Sequence, residues 1–251
     1  VLRPAAEGQE QTASLGAQAL DANSVIVYSY ADLSTALSQD NGYNTIYFGA
    51  DINGSSGSSI RIHANKRNVR IIGQHPDTGV RYTYTEPRRD SINGTIYADT
   101  ASIGSVAFEN RDIVGSNGFG VCNVSQSNDS YANFKLTLKD VTYTGPHAAY
   151  NPWGIVRLED FRFRSEINGA DQLGNVAMAR VVETAGQIDI DHNADYSTAT
   201  VFVFTKRNAS YPNSLTMEGS TRAQIVTQTS LLYCSSGTLI NWTVKSGADV
   251  K

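Results

Sequence analysis

The sequence predicts an all-β fold, namely a right-handed parallel β-helix with a short amino-terminal capping helix. A short pattern recurs at irregular intervals: apolar, any residue, apolar, polar, then Asn, Asp or another small residue. Its copies are residues 106–110 (VAFEN), 136–140 (LTLKD), 156–160 (VRLED), 215–219 (LTMEG) and, more loosely, 180–184 (RVVET), with Arg180 in the first apolar position. The composition agrees, because 21 Gly and 13 Tyr beside only two Met and two Trp are typical of many short strands and turns. A strand and a turn that recur in this way predict a stack of similar coils.

The capping helix is predicted at residues 29–39, where Ser29 or Asp32 can cap the first turn. Its apolar positions at helical spacing are Leu33, Ala36 and Leu37. A strand is predicted directly after it, at residues 45–52. We expect the helix to cover the open apolar end of the core, because uncovered strand edges pair with other chains.

Successive copies of the pattern can be aligned residue by residue. Leu138 aligns with Leu158 at an offset of 20 residues, and Phe108 aligns with Leu138 at an offset of 30. Later matches at Val182 and Met217 have offsets of 24 and 35, which a solenoid tolerates because extra residues leave through loops. The alignment predicts that like residues stack, including Asx side chains at one turn. Strand alternation alone also fits an antiparallel β-sandwich or jelly roll, which remains the alternative fold.

We divide the 251 residues into a linker or disordered tail at residues 1–23 and a β-helix domain at residues 24–251.

The charge, the hydropathy and the cysteine content of the chain narrow the classes of partner that we expect. The net charge of −4 lacks the basic footprint of broad nucleic-acid binding, so we expect no nucleic-acid partner. No run of about 18 apolar residues occurs, and we expect no membrane span. Cys122 and Cys234 would lie several coils apart, so we expect buried free thiols and no disulfide, in a monomer.

Four segments of the chain together form a family-like pattern. They are residues 29–38 (SYADLSTALS), 44–52 (NTIYFGADI), 52–73 (INGSSGSSIRIHANKRNVRIIG) and 139–160 (KDVTYTGPHAAYNPWGIVRLED). This pattern resembles the pectate-lyase-like adhesive domain of Gram-positive cell-surface proteins, with residues 143–160 as its most specific stretch. The resemblance implies a right-handed parallel β-helix, a secreted and cell-wall-associated parent protein, and a role in attachment without lyase activity.

Residues 187–193 (QIDIDHN) resemble the Ile-Asp-His stretch of pectate lyases. Asp189 and Asp191 are predicted on the outer face of a strand, because isoleucines alternate with them. Together with Asp195 they form a candidate Ca²⁺ site, since this hard cation prefers carboxylate oxygens. The downstream Arg-x-Pro-x-x-Arg element of pectate lyases is missing after residue 193, so we assign no catalytic residue and no further cofactor.

Ligand-binding residues are predicted on a patch of cations and aromatic side chains. Its members are Lys135, Lys139, Arg157, Arg162, Arg164, Tyr150 and Trp153. Alternation with apolar residues places the cations outward, where they attract the carboxylates of acidic polysaccharides, and aromatic rings stack on sugar rings. The simpler alternative is that these charges only solubilise a strand face. In that case Lys139 pairs with Glu159 on the neighbouring coil, and Trp153 packs on the coil edge.

The histidines carry no metal-ligand signature. His63, His75, His147 and His192 lack the paired spacing of zinc ligands and are predicted at the surface or in loops.

These observations favour a noncatalytic adhesin module that binds a host or plant surface glycan, or a matrix protein, through the face of the β-helix. Weak contacts repeated along a stiff module add up through avidity. Two alternatives stay open: a polysaccharide lyase or hydrolase acting on uronate polymers, and a structural spacer in a surface protein. Because Ile240, Trp242 and Val244 still alternate at the carboxyl end, we expect another coil or a cap to follow them in a longer protein.

Overall fold

The computed structural model describes residues 20–87, 95–116, 118–124, 129–165, 175–192, 200–204, 210–234 and 239–251. Its elements in chain order are β1 (Ser24–Val27), α1 (Tyr30–Ser38), β2 (Thr45–Phe48), β3 (Ile52–Asn53), β4 (Ile60–Arg61), β5 (Asn68–Ile72), β6 (Thr83–Thr85), β7 (Ile96–Tyr97), β8 (Ser105–Val114), β9 (Cys122–Asn123), a 3₁₀ turn (Asp129–Tyr131), β10 (Lys135–Gly145), β11 (His147–Ser165), β12 (Asn175–His192), β13 (Thr200–Phe204), β14 (Asn213–Met217), β15 (Arg222–Thr227), β16 (Ser230–Cys234), β17 (Ile240–Val244) and β18 (Asp249–Val250).

The strands form three parallel ladders that follow one another in each coil. The first ladder contains β1, β2, β5, the amino-terminal parts of β8 and β10, residues 155–159 of β11, 181–184 of β12, β14 and β17. The second contains β3, β6, the carboxyl-terminal parts of β8 and β10, residues 161–165 of β11, 187–192 of β12, β15 and β18. The third contains β4, β7, β9, residues 147–151 of β11, 175–179 of β12, β13 and β16. Strands of successive coils therefore pair in parallel, which confirms a parallel β-solenoid and contradicts the antiparallel sandwich.

Apolar side chains fill the interior because alternate residues of each strand point inward. One inward row of the first ladder, which is 0–1% exposed throughout, runs through Ile46, Ile71, Phe108, Leu138, Leu158, Thr184 and Met217. The predicted alignments of Phe108 with Leu138 and of Leu138 with Leu158 are confirmed. The later offsets are wrong by two residues, because Leu158 pairs with Thr184 and Thr184 pairs with Met217.

Arg180 accounts for this error, because it lies at a corner and not at an apolar position of the repeat. Its guanidinium donates to the backbone oxygens of Ala132 at 2.6 Å, Trp153 at 3.2 Å and Pro212 at 3.3 Å. It thus ties together corners of neighbouring coils. The residue is nearly buried, and burial lowers the pKa of its guanidinium. A buried charge of this kind is tolerated because carbonyl oxygens satisfy its donors.

The predicted helix is confirmed as α1. Ser29 caps it, since the backbone N–H of Asp32 donates to Ser29 Oγ at 3.1 Å. Its buried residues, which join the solenoid core, are Leu33, Ala36 and Leu37. The helix packs against β1 and β4, the strands that begin the first and third ladders. The predicted strand at residues 45–52 is two strands, β2 and β3, because the chain turns a corner between them.

A fully buried arginine that the pattern did not predict lies in the interior. Arg111 is fully buried, and its guanidinium carbon lies 4.1 Å from the ring centroid of Phe48 and 5.5 Å from that of Phe108. None of its three side-chain nitrogens has a hydrogen-bond partner within the described part of the chain. Burial lowers the pKa of Arg111 to about 9. The two aromatic faces partly offset the cost of burying this cation.

The positions of the two cysteines in the third ladder explain their state and their burial. Cys122 and Cys234 are free thiols on different coils of the third ladder, so the absence of a disulfide between them is confirmed. Cys122 is buried as predicted, and burial raises its thiol pKa to about 12, whereas Cys234 is partly exposed.

Two of the four histidines contradict the surface prediction. His147 and His192 are 0% exposed, because their positions on β11 and β12 face the interior, whereas His63 and His75 are in loops as expected.

No helix among the described residues is long and apolar enough to cross a membrane.

Candidate functional site

The Asx residues of the recurring pattern lie at the turn between the first and second ladders. Asn110, Asp140 and Asp160 have φ values of 52°, 48° and 49°, in the left-handed region of backbone space. Asn and Asp adopt this conformation more readily than other residues with a side chain, so the pattern records a backbone requirement. Asp160 also bonds to the next coil, since its Oδ1 accepts the backbone N–H of Gln187 at 2.9 Å.

The first ladder carries three of the predicted binding cations on its outer face, and each has an anionic partner. Lys139 Nζ lies 2.8 Å from Glu159 Oε1, which confirms the predicted charge pair. Arg157 lies 3.2 Å from Glu159 and 3.5 Å from Glu183, and Lys135 Nζ lies 3.5 Å from the same Glu183 oxygen. The hydrogen bond between Lys139 and Glu159 raises the pKa of the lysine and lowers the pKa of the glutamate, so both side chains stay charged at neutral pH. This face is therefore a charge-balanced network and not a bare cationic surface.

The second ladder carries Arg162 and Arg164 together with the predicted metal ligands. Arg164 Nη2 lies 2.7 Å from Asp189 Oδ2, and this hydrogen bond raises the pKa of Arg164. Asp189 and Asp191 face outward as predicted, but a cation bound by Asp189 would have to displace the guanidinium. Asp195 lies outside the described residues. Among those described, no group of three or more His, Cys, Asp or Glu residues is placed to hold a metal ion.

The aromatic residues of the predicted patch lie elsewhere on the coils. Tyr150 is on the third ladder, and its ring packs edge-on against Phe119 with the centroids 5.2 Å apart. Trp153 lies at the corner between the third and first ladders and packs against the core. Tyr143 is a core residue of the second ladder, and its ring stacks on that of Phe163 with the centroids 5.9 Å apart. The seven predicted binding residues are thus distributed over three ladders and one corner, and the structure does not bring them together.

A cleft of about 450 Å³ opens where the corner row meets the second ladder. Its lining residues are Arg81, Asp112, Asp140, Thr142, Asp160, Arg162 and Gln187. Asp112, Thr142 and Arg162 occupy one outward row, because each pairs in register with the residue on the next coil. Asp140 and Asp160 are the neighbouring corner residues. The cleft therefore extends along the stack over several coils.

Arg81 holds one wall of the cleft in place. It lies in the segment between β5 and β6 and forms an antiparallel bridge with Gln74. Its guanidinium lies 2.9 Å from Asp140 Oδ2 and 3.1 Å from Asp112 Oδ1, and it also donates to the backbone oxygens of Arg111 and Asp140. These partners engage both terminal nitrogens of the Arg81 guanidinium, which fastens this segment to the solenoid.

Arg162 and Asp160 keep hydrogen-bonding groups available to a ligand. Both side chains are exposed, and Arg162 has no ion-pair partner within the described ranges. Only one oxygen of Asp160, Oδ1, accepts a hydrogen bond from a described residue. Gly186, on the next coil, leaves room for this carboxylate, because a Cβ in its place would collide with it. The lining of the cleft thus includes both a donor group and an acceptor group.

Sequence reasoning found Arg162 but missed most of the cleft. Asp140 and Asp160 were visible as members of the repeat and were assigned only to turns. Arg81 was hidden in a loop 59 residues before Asp140, and no periodic signal links a loop residue to the coil on which it folds. Asp112 pairs in register with Thr142 and was recoverable from the alignment of Phe108 with Leu138.

The comparisons with known proteins leave the resemblance described above as a prediction. No protein-family model matches the chain, and neither a curated protein nor a solved structure matches it.

Proposed function

We propose that the chain is a noncatalytic adhesin module that binds a surface glycan through the cleft on the side of its solenoid. The observation that carries the proposal is the cleft itself, which is elongated along the stack and whose described lining residues are all polar or charged. Sugars are recognised by such convergent hydrogen-bonding groups in a preformed concavity. The proposal moves the binding site from the predicted patch to this cleft, because the cations of the first ladder are neutralised by Glu159 and Glu183.

The finer description of the fold belongs to the same proposal. We expect the solenoid to be right-handed, since crossover connections between parallel strands have that hand in about 98% of cases. We also expect α1 to act as a cap, because its apolar face is buried where the first and third ladders begin. Such a cap protects strand edges from pairing with other chains.

Secretion and attachment to a Gram-positive cell wall are supported only by the family resemblance of the four segments described above, of which residues 143–160 are the most specific stretch. Fractionation of the producing cells checks this part. Recovery of the parent protein from the wall fraction is the expected result, and recovery from the cytosol alone would contradict it.

Binding is tested on a glycan array with two variants of one strand. Thr142→Trp places a large side chain into the cleft, whereas Thr137→Trp places the same side chain on the outer face of the first ladder. We expect the native chain and Thr137→Trp to bind the same glycans and Thr142→Trp to lose them. Equal binding by both variants would exclude the cleft as the site.

The two alternatives have distinct outcomes in parallel assays. The lyase alternative predicts an unsaturated product from polygalacturonate in the presence of Ca²⁺. The spacer alternative predicts that neither the native chain nor any variant binds a glycan or a matrix protein.

A further inference from the structure

We infer that the cleft selects an uncharged saccharide unit, whose neighbouring hydroxyl groups bind Arg162 and Asp160, in preference to a uronate. This inference rests on the proposed function and adds the chemical class of the ligand. It reverses the expectation of an acidic glycan, which counted only the cations on the outer faces.

The charges that line the cleft argue against an anionic ligand. Three carboxylates, those of Asp112, Asp140 and Asp160, face two guanidinium groups. The Arg81 guanidinium is already bound by two of these carboxylates and by two carbonyl oxygens. A uronate would therefore meet one available cation, Arg162, among several carboxylates on adjacent coils. Like charges placed side by side repel, and this repulsion lowers the affinity for a polyanion.

The groups that stay available match a sugar diol. Arg162 only donates hydrogen bonds, and the carboxylate of Asp160 only accepts them. Of two neighbouring hydroxyl groups on a sugar ring, one can accept from the guanidinium while the other donates to the carboxylate. Thr142 and Gln187 add groups of both kinds to the same lining. An uncharged sugar therefore satisfies both charged groups and introduces no further charge.

The position of Arg162 makes it the specificity-determining residue. Its nearest counterparts are Arg157 on the first ladder and Arg164 one outward position further along β11. Both are engaged, Arg157 with Glu159 and Glu183, and Arg164 with Asp189. Only Arg162 combines exposure, a place in the cleft and the lack of an ion-pair partner among the described residues.

The experiment uses uronate-containing polysaccharides and the same polysaccharides after chemical reduction of their carboxyl groups. Because each pair shares its linkages and sugar sequence, only the charge differs. We expect the native chain to bind the reduced, neutral polymers at least about 10-fold more tightly, since placing a like charge beside the carboxylates of the cleft costs at least that much affinity. Affinity for the neutral polymers should stay the same between low and high salt, because no ligand charge is screened.

Three variants test the inference, and one of them, Arg157→Gln, is the control. Arg162→Gln should lower the affinity for neutral polymers about 10- to 100-fold, whereas Arg157→Gln should leave it unchanged. Asp160→Asn keeps the left-handed turn, which Asn110 also adopts in the same row, and removes one negative charge. In this variant, the difference in affinity between neutral and uronate polymers should be smaller than in the native chain.

The outcomes distinguish a failure of the preference for uncharged saccharides from a failure of glycan binding itself. Tighter, salt-sensitive binding of the uronate polymers would overturn the inference and leave the glycan-binding function in place. Equal loss of binding in Arg157→Gln and Arg162→Gln would also overturn the inference, because the binding site would then include the outer face of the first ladder. If no polysaccharide binds at all, the proposed function itself fails, and the inference falls with it.

Discussion

The first and the last described coils of the solenoid bury the same apolar rows to different extents. At the amino-terminal end, Ile46 is fully buried and α1 adds Leu33 and Leu37, which are also 0% exposed. At the carboxyl-terminal end, Val244 follows Met217 in the same inward row, yet Val244 is 50% exposed while Met217 is 0% exposed. Trp242, the next inward residue of β17, is similarly half exposed.

This difference shows that burial in a solenoid is supplied by the neighbouring coil. A single coil cannot enclose its own apolar side chains, because its inward residues are covered from above and below. The same residue type at the same position of the repeat is therefore core in the middle of the stack and surface at its end. Three predictions test this comparison.

The largest expected effect is at the amino-terminal end. Leu37→Ala should lower the free energy of unfolding by about 2–5 kcal/mol, the usual cost of removing a fully buried leucine side chain. Urea denaturation measures this difference. Leu239→Ala is the control, because Leu239 is 86% exposed and its truncation should change stability by less than about 0.5 kcal/mol. Equal losses would mean that α1 does not protect the core.

The middle of the stack is tested by pH. Burial lowers the pKa of His147 to about 4, while its Nε2 donates to the backbone oxygen of Ala149 at 2.9 Å. The unfolded chain, with a histidine pKa of about 6.5, binds a proton in the interval where the folded chain does not. The stability that His147 contributes is therefore complete above pH 6.5 and declines as the pH falls towards 4, by about 3 kcal/mol in total.

The measurement compares unfolding curves of the native chain and His147→Gln at pH 7, 5.5 and 4.5. The variant should lose less stability than the native chain over this range, whatever its stability at pH 7. Parallel pH profiles would mean that water reaches the histidine and that the middle of the stack is no drier than its open end.

The smallest effect is expected at the carboxyl-terminal end. Val244→Ala should cost about 0.5 kcal/mol, because half of the side chain is already in water. Met217→Ala, one coil earlier in the same row, should cost about 2–5 kcal/mol. A cost at Val244 as large as that at Met217 would show that the last coil is covered in solution and would remove the contrast between the ends.

Much of the solenoid was predictable because its signal is local and repeated. The helix at its start, the inward row through Phe108, Leu138 and Leu158, and the corner at Asp140 and Asp160 all followed from short patterns. The register of the next coil was wrong, since a hydrophobic pattern does not distinguish Arg180 at a corner from an apolar residue missing from a strand. His147 was misplaced for a related reason, because the interior accepts a neutral polar ring that has a backbone partner.

The candidate site was less predictable than the scaffold. Lys139, Arg157 and Arg162 look alike in the sequence, as outward cations on neighbouring strands. They differ only in the anions that the next coil or a distant loop places beside them. Glu183 neutralises Arg157 from a position 26 residues away, and Arg81 pairs with Asp112 and Asp140 from the loop between β5 and β6.

The sequence by itself determined the strand periodicity, the helix predicted at residues 29–39 and the Asx corners, because these depend on side-chain alternation and on backbone conformations of single residues. Only the tertiary structure decided which charges are paired, which polar residues are buried and where a cleft opens. Those properties depend on residues that the coiling brings together from separate parts of the chain. Electrostatic pairing acts over a few ångströms in space, and distance in space is the quantity that a linear pattern does not contain.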